Sequence, residues 1–112
     1  TAPGAAGARE EAAINGYWAP PDGGRIEIAP CGGRLCGHVR DDGDPAPEEP
    51  QFIGHLLLHG FVYEGDGTWR DGRIHNPRDR RSYRSKLLLL DENRLKVSGC
   101  VWIFCGSQVW TR

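Results

Sequence analysis

The residues best equipped for chemistry are four cysteines in two copies of one spacing, Cys31-Gly-Gly-Arg-Leu-Cys36 and Cys100-Val-Trp-Ile-Phe-Cys105. Thioredoxin-type redox centres and most zinc sites use C-x2-C at a loop or helix end, so C-x4-C argues against both. Structural disulfides fit better, and they imply an oxidising compartment. Pairing Cys31 with Cys36 and Cys100 with Cys105 is favoured, because each set brackets a turn between two apolar-alternating segments. A loop of this length contributes about 2 kcal/mol in the chain-entropy model and a long-range pairing about 4 kcal/mol, so energetics leave a crossed arrangement open. A four-thiolate zinc site is the other alternative; no metal and no cofactor is expected.

The remaining reactive side chains are less organised. His55 and His59 are spaced as two ligands on one helix face would be. Their segment reads as a strand, which sets them about 13 Å apart, too far to share an ion. The paired carboxylates Asp41-Asp42 and Glu48-Glu49 fall in a Pro-rich loop, where adjacent side chains diverge. No nucleophile–base motif and no phosphate-binding glycine loop occurs, so the chain is expected not to be an enzyme. Two features remain that suit binding. Residues 70–86 carry six arginines and Lys86 against Asp71 and Asp79. If Arg80, Arg81 and Arg84 converge at a barrel mouth, they suit a carboxylate or phosphate headgroup. Otherwise they form a solvated face. Val101-Trp102-Ile103-Phe104 is an apolar sequence at an expected hairpin tip, and Trp102 and Phe104 either plug the end of the fold or offer a contact.

The elements that must position these residues are strands. The chain has 112 residues, 38% hydrophobic content, four Trp and a net charge of −1, enough for one compact core and without a global pull toward nucleic acid. The longest uncharged apolar run, Leu87 to Leu90, is too short to span a bilayer as a helix. Residues 1–13 read as a flexible arm, with a short helix toward Ala13 as the alternative, and residues 14–112 as a single domain. Ile26 and Ile28 alternate on one side of Gly32-Gly33, and Leu35, Gly37 and Val39 on the other, which makes a hairpin. Strands are expected at residues 14–19, 51–63, 82–90 and 108–112, and from Arg94 through Gly99, with a turn at Asp71-Gly72. The fold class is therefore all-β: a small antiparallel up-and-down barrel of eight or so strands with no long helix.

Gly16-Tyr17-Trp18, Ile26-Glu27-Ile28 and Leu35-Cys36-Gly37 resemble the opening of the bacterial family called domain of unknown function 2147. Trp69-Arg70-Asp71-Gly72-Arg73-Ile74, Asn76-Pro77, Leu95 to Cys100 and Gln108 to Arg112 are similar to its later signatures. The chain departs from the usual pattern at Asn76, where Asp is common, and at Arg80-Arg81, where Gly-Lys is usual. The resemblance implies a small exported protein with a lipocalin-like or calycin-like barrel and no established activity. Gly-x-Trp also resembles the first lipocalin motif, which implies that Trp18 stacks with Arg112 on the last strand, with Trp110 structural beside them.

Together these readings lead to an expected function: an exported β-barrel binding module for a small apolar or amphipathic molecule in the bacterial envelope. Leu56, Leu58, Leu87 and Leu89 would line the interior, and Arg80, Arg81, Tyr83, Arg84, Trp102 and Phe104 would serve at its rim. The alternative is a structural or protein-interaction module with a filled barrel, its partner an envelope protein. Neither nucleic acid nor a transmembrane segment is expected. The sequence shows no export signal, so the numbered chain is expected to be the mature periplasmic or secreted form.

Overall fold

A computed structural model of the chain describes residues 11–21, 23–41, 52–77, 79–101 and 104–112. Its strands are β1 (Gly16–Trp18), β2 (Arg25–Cys31), β3 (Arg34–Asp41), β4 (Leu56–Gly65), β5 (Thr68–Asn76), β6 (Arg81–Asp91), β7 (Arg94–Val101) and β8 (Phe104–Thr111). They form one antiparallel sheet in sequence order, the eight-stranded meander that the alternation predicts. The sheet curls on itself. Closure is slight: β1 and β8 are joined through one bridge, Ala19 with Thr111, by N–H···O bonds of 2.6 and 3.0 Å. Among the described residues the only helical backbone is a turn at Glu11 and Ala12.

Turn chemistry explains the hairpins. Gly32 and Gly33, at φ 60° and 80°, supply the two positive-φ positions of a two-residue turn between β2 and β3. The expected turn at Asp71-Gly72 is corrected. β5 runs through it, and the chain reverses at Asp66-Gly67, with φ of 53° and 68°. Asp71 does take positive φ (60°), but within a register shift between β5 and β6, so the dipeptide marks a bulge. Packing selects that outcome. The Phe61 ring lies over Gly72 so closely that a Cβ there would sit 2.2 Å from Cδ1. The first strand also begins later than expected, at Gly16; Ile14 precedes it as a fully buried plug. The strand expected from residue 51 starts at Leu56.

Inward and outward faces alternate along β6 and β7 as period two demands. Ser85, Leu87, Leu95 and Val97 are buried, while Arg84, Lys86 and Lys96 are exposed. The core gathers Ile14, Trp18, Ile26, Ile28, Leu35, Leu58, Phe61, Trp69, Leu87, Leu95 and Trp110 from both edges of the sheet. One end is sealed at the chain's terminal strands. The Arg112 guanidinium lies 4.1 Å from the centre of the Trp18 ring. It donates to the carbonyls of Ala13 (2.6 Å), Asn15 (3.1 Å) and Glu92 (2.8 Å). The Trp18 indole N–H donates to the Ile14 carbonyl at 2.8 Å. One C-terminal side chain thus ties the N-terminal entry segment to the β6–β7 turn. Disulfides join Cys31 to Cys36 across the β2–β3 hairpin and Cys100 to Cys105 across β7–β8.

A candidate binding cleft at the open end

Space at the other end follows from a row of small residues. Cross-strand register places Gly72 opposite Ser85, Ser85 opposite Gly99, and Gly99 opposite Gly106, all on the concave face. The Ser85 hydroxyl donates to the Ser98 carbonyl at 2.6 Å, so the buried polar group is satisfied within the sheet. Over Gly72 the Phe61 ring fills the gap. Over Gly106 nothing does: no atom lies within 4 Å of where a Cβ would stand. The result is an open cleft of about 620 Å³ lined by Leu57, Ile74, Tyr83, Val97, Gly106 and Trp110, with Asn76 and Gln108 among its polar groups.

Leu57 reaches this cleft through a bulge. Gly37 pairs with Leu58 but the next residue, His38, pairs with Leu56, which leaves Leu57 as the extra residue. Leu56 therefore stands opposite His38 on the convex face, and the expectation that it lines the interior is corrected. The sequence's own period cannot show this, because an extra residue flips the face of everything beyond it.

The cleft is electrically neutral. None of its lining residues is a cation or a carboxylate. The Tyr83 hydroxyl donates to Asp79 Oδ2, and that bond raises the phenol's pKa above its ordinary value, so it stays neutral and offers the cleft an acceptor oxygen. The same bond, with the Arg81 backbone N–H at 2.8 Å, holds the Asp79 carboxyl below its ordinary range. The Trp110 indole donates to Gln108 Oε1 at 3.0 Å, which orients the Gln108 amide beside the apolar wall. Such a lining suits an apolar molecule with a few neutral polar atoms.

The other expected site residues disperse. Leu58 and Leu87 are buried in the core and do not line the cleft, and Leu89 packs partly buried against the same core. Arg84 projects from the convex face opposite Arg73. Arg80 and Arg81 line a different depression on the far side of the β5–β6 turn, in company with His55 and His75. Trp102 and the Phe104 side chain lie outside what the structure describes. Sequence reasoning missed Gly99 and Gly106 as cleft residues. Their signal was present: Gly99 falls in phase with Leu95 and Val97, an inward position with no side chain to fill it.

Among the described residues, no group of three or more His, Cys, Asp or Glu is arranged to hold a metal ion. No helix of the described residues is long and apolar enough to cross a membrane.

Comparison with known proteins agrees with this architecture. A family described as "Uncharacterized protein conserved in bacteria (DUF2147)" matches residues 16–112. Among solved structures, the chain is similar to protein HP1028 of Helicobacter pylori, which is described as belonging to the lipocalin family. The TM-score is 0.74 at 13% identity, over 88% of this chain and 82% of that one, a likeness of fold. No curated protein matches the chain at a significant level.

Proposed function

The chain belongs to the bacterial DUF2147 family, and from that premise we propose that it is a non-enzymatic, exported binding module for a small apolar molecule. The observation that carries the reading is the unfilled concave surface over Gly106, beside Gly99 where Ile74 Cδ1 closes over the backbone, bounded by Leu57, Ile74, Val97 and Trp110. A volume of about 620 Å³ falls in the range of small-molecule sites. Trp18 and Arg112 close the core at the opposite end, away from the cleft. Apolar burial supplies affinity, at about 25 cal/mol per Å² of ligand surface covered. Asn76, Tyr83 and Gln108 supply direction through neutral hydrogen bonds. The two disulfides support an oxidising location such as the bacterial envelope.

Native mass spectrometry of the protein purified from its own host tests the reading. A reproducible excess mass that leaves on unfolding, and that identifies as an apolar small molecule, is the expected result. Protein that is always bare, and that fails to bind the neutral apolar probe N-phenyl-1-naphthylamine, would exclude a carrier. A surface-interaction role with an envelope partner would then lead.

A further inference from the structure

The rim at the β5–β6 turn carries a second depression of opposite chemical character. His55, His75, Arg80, Arg81 and Ser82, with Phe52, Asn76 and Pro77, line a depression of about 440 Å³. Register accounts for the grouping. His75 is paired with Ser82 and Asn76 with Arg81 across the β5–β6 ladder. His75 Nδ1 and the Ser82 hydroxyl are hydrogen-bonded at 2.6 Å, and His55 Nε2 is hydrogen-bonded to the His75 carbonyl at 2.8 Å. The His59 ring stands 5.8 Å from the His75 ring. Arg73 lies directly between His59 and Arg84 in the cross-strand register.

Arg73 and Arg84, both cations, are set directly across the β5–β6 ladder, so this end of the sheet concentrates positive charge. Among the described residues, the carboxylate next to Arg80 and Arg81 in the turn is Asp79, and its oxygens accept from the Tyr83 hydroxyl and the Arg81 backbone N–H. Arg80 holds its place at a φ of 58°, a conformation that non-glycine residues adopt rarely, with its N–H donating to the Asn76 carbonyl at 2.9 Å. Rare backbone at a polar cluster is a common mark of a binding site.

We propose that this depression is an oxyanion site, taking a phosphate- or sulfate-like group on the Arg80 and Arg81 guanidiniums with the Ser82 hydroxyl and the His75 imidazole as further donors. Arginine's planar fork matches such oxygens two at a time. A free oxyanion and the headgroup of an acidic lipid share this chemistry. The site is independent of the neutral cleft, which it adjoins at Asn76.

Proton linkage follows from what faces His75: His59 and His55 from β4 and its approach, Arg73 on β5, and Ser82 and Arg81 on β6. Burial first, then the charges of His59, His55 and Arg73, hold the imidazole below its ordinary pKa. A bound anion favours the protonated form, so affinity rises as pH falls.

The test uses the full chain and inorganic sulfate, whose charge is constant over the pH range, followed by NMR of the histidine rings. Saturable shifts at His55 and His75 are expected, with binding at least threefold tighter at pH 5.5 than at pH 7.5. Arg81→Ala combined with Arg80→Gly, which suits the positive φ, should weaken sulfate at least tenfold. Lys96→Ala, an exposed cation removed elsewhere, should leave it unchanged. Sedimentation with phosphatidylglycerol against phosphatidylcholine vesicles separates the sources. Association with the acidic vesicles alone, lost in the double variant, assigns a lipid headgroup; sulfate binding without it assigns a soluble oxyanion. Equal weakening by Lys96→Ala, or no histidine shift at millimolar sulfate in a folded protein, overturns the proposal. N-phenyl-1-naphthylamine binding should be the same in every variant, which keeps the cleft reading separately testable.

Discussion

Gly106→Phe is the sharpest perturbation of the cleft. The glycine lines the open end, pairs with Gly99, and has no atom within 4 Å of a notional Cβ, so a ring placed there meets space rather than protein. A phenyl group on the concave face would occupy the room over Gly106, beside Ile74, and take up part of the cleft that Val97 and Trp110 line. It should therefore displace ligand atoms roughly equal to one buried apolar side chain, about 1.5–3 kcal/mol of binding. That is about 10- to 150-fold in affinity. Folding should move the other way. Replacing glycine in a strand by a β-forming aromatic removes backbone entropy from the unfolded chain, and stability should rise by about 0.5–1 kcal/mol. Fluorescence titration with N-phenyl-1-naphthylamine reads the first quantity and urea unfolding the second. Weaker binding with unimpaired stability is the expected pair. Undiminished binding would show that the probe sits elsewhere. Lost stability would show that the space over Gly106 is filled, and with it the argument from the small-residue row would fall.

Four further outcomes follow from the geometry. Gly72→Ala drives a methyl into the buried Phe61 ring and should destabilise by about 1–3 kcal/mol in urea unfolding, with Phe61→Leu in the same chain recovering much of the loss. Trp18→Ala should cost about 3–5 kcal/mol, and a double-mutant cycle with Arg112→Gln should return a coupling of about 0.5–2 kcal/mol; a coupling near zero would remove the stacking account of the sealed end. Reducing both disulfides should lower stability by about 2 kcal/mol for each short loop, and non-reducing peptide mapping should recover Cys31 linked to Cys36 and Cys100 to Cys105. Asp79 and Asp91 have lowered pKa values, through Tyr83 and Arg94 respectively as the leading partners. Their contribution is present above the ordinary carboxyl pKa and fades as pH falls through the lowered one, so amide protection at the β5–β6 and β6–β7 turns, measured relative to the intrinsic exchange rate at each pH, should be lost first in acid.

What the sequence determined by itself was whatever depends on neighbours along the chain. The period of two in residues 83–89 set Tyr83, Ser85, Leu87 and Leu89 on one face, and the structure keeps them there. Gly32-Gly33 needed only its own positive φ to make a hairpin. Trp18 and Arg112 were legible as a pair through resemblance, and the guanidinium does lie over the indole. Only the tertiary structure decided the rest. Asp71-Gly72 reads locally as a turn, and the Phe61 ring, ten residues earlier, makes it a bulge instead. Leu57 and not Leu56 faces inward because β3 and β4 differ by one residue across their ladder, a mismatch that neither strand carries alone. Glycines at 72, 99 and 106 are the same residue in the sequence; one is covered by a ring and one lies open, because emptiness belongs to the residues around a position and not to the position. The arginines obeyed the same logic. Their charge was visible at once, but the turn between β5 and β6 placed Arg80 and Arg81 beside histidines from two other segments, and only that meeting made them a site.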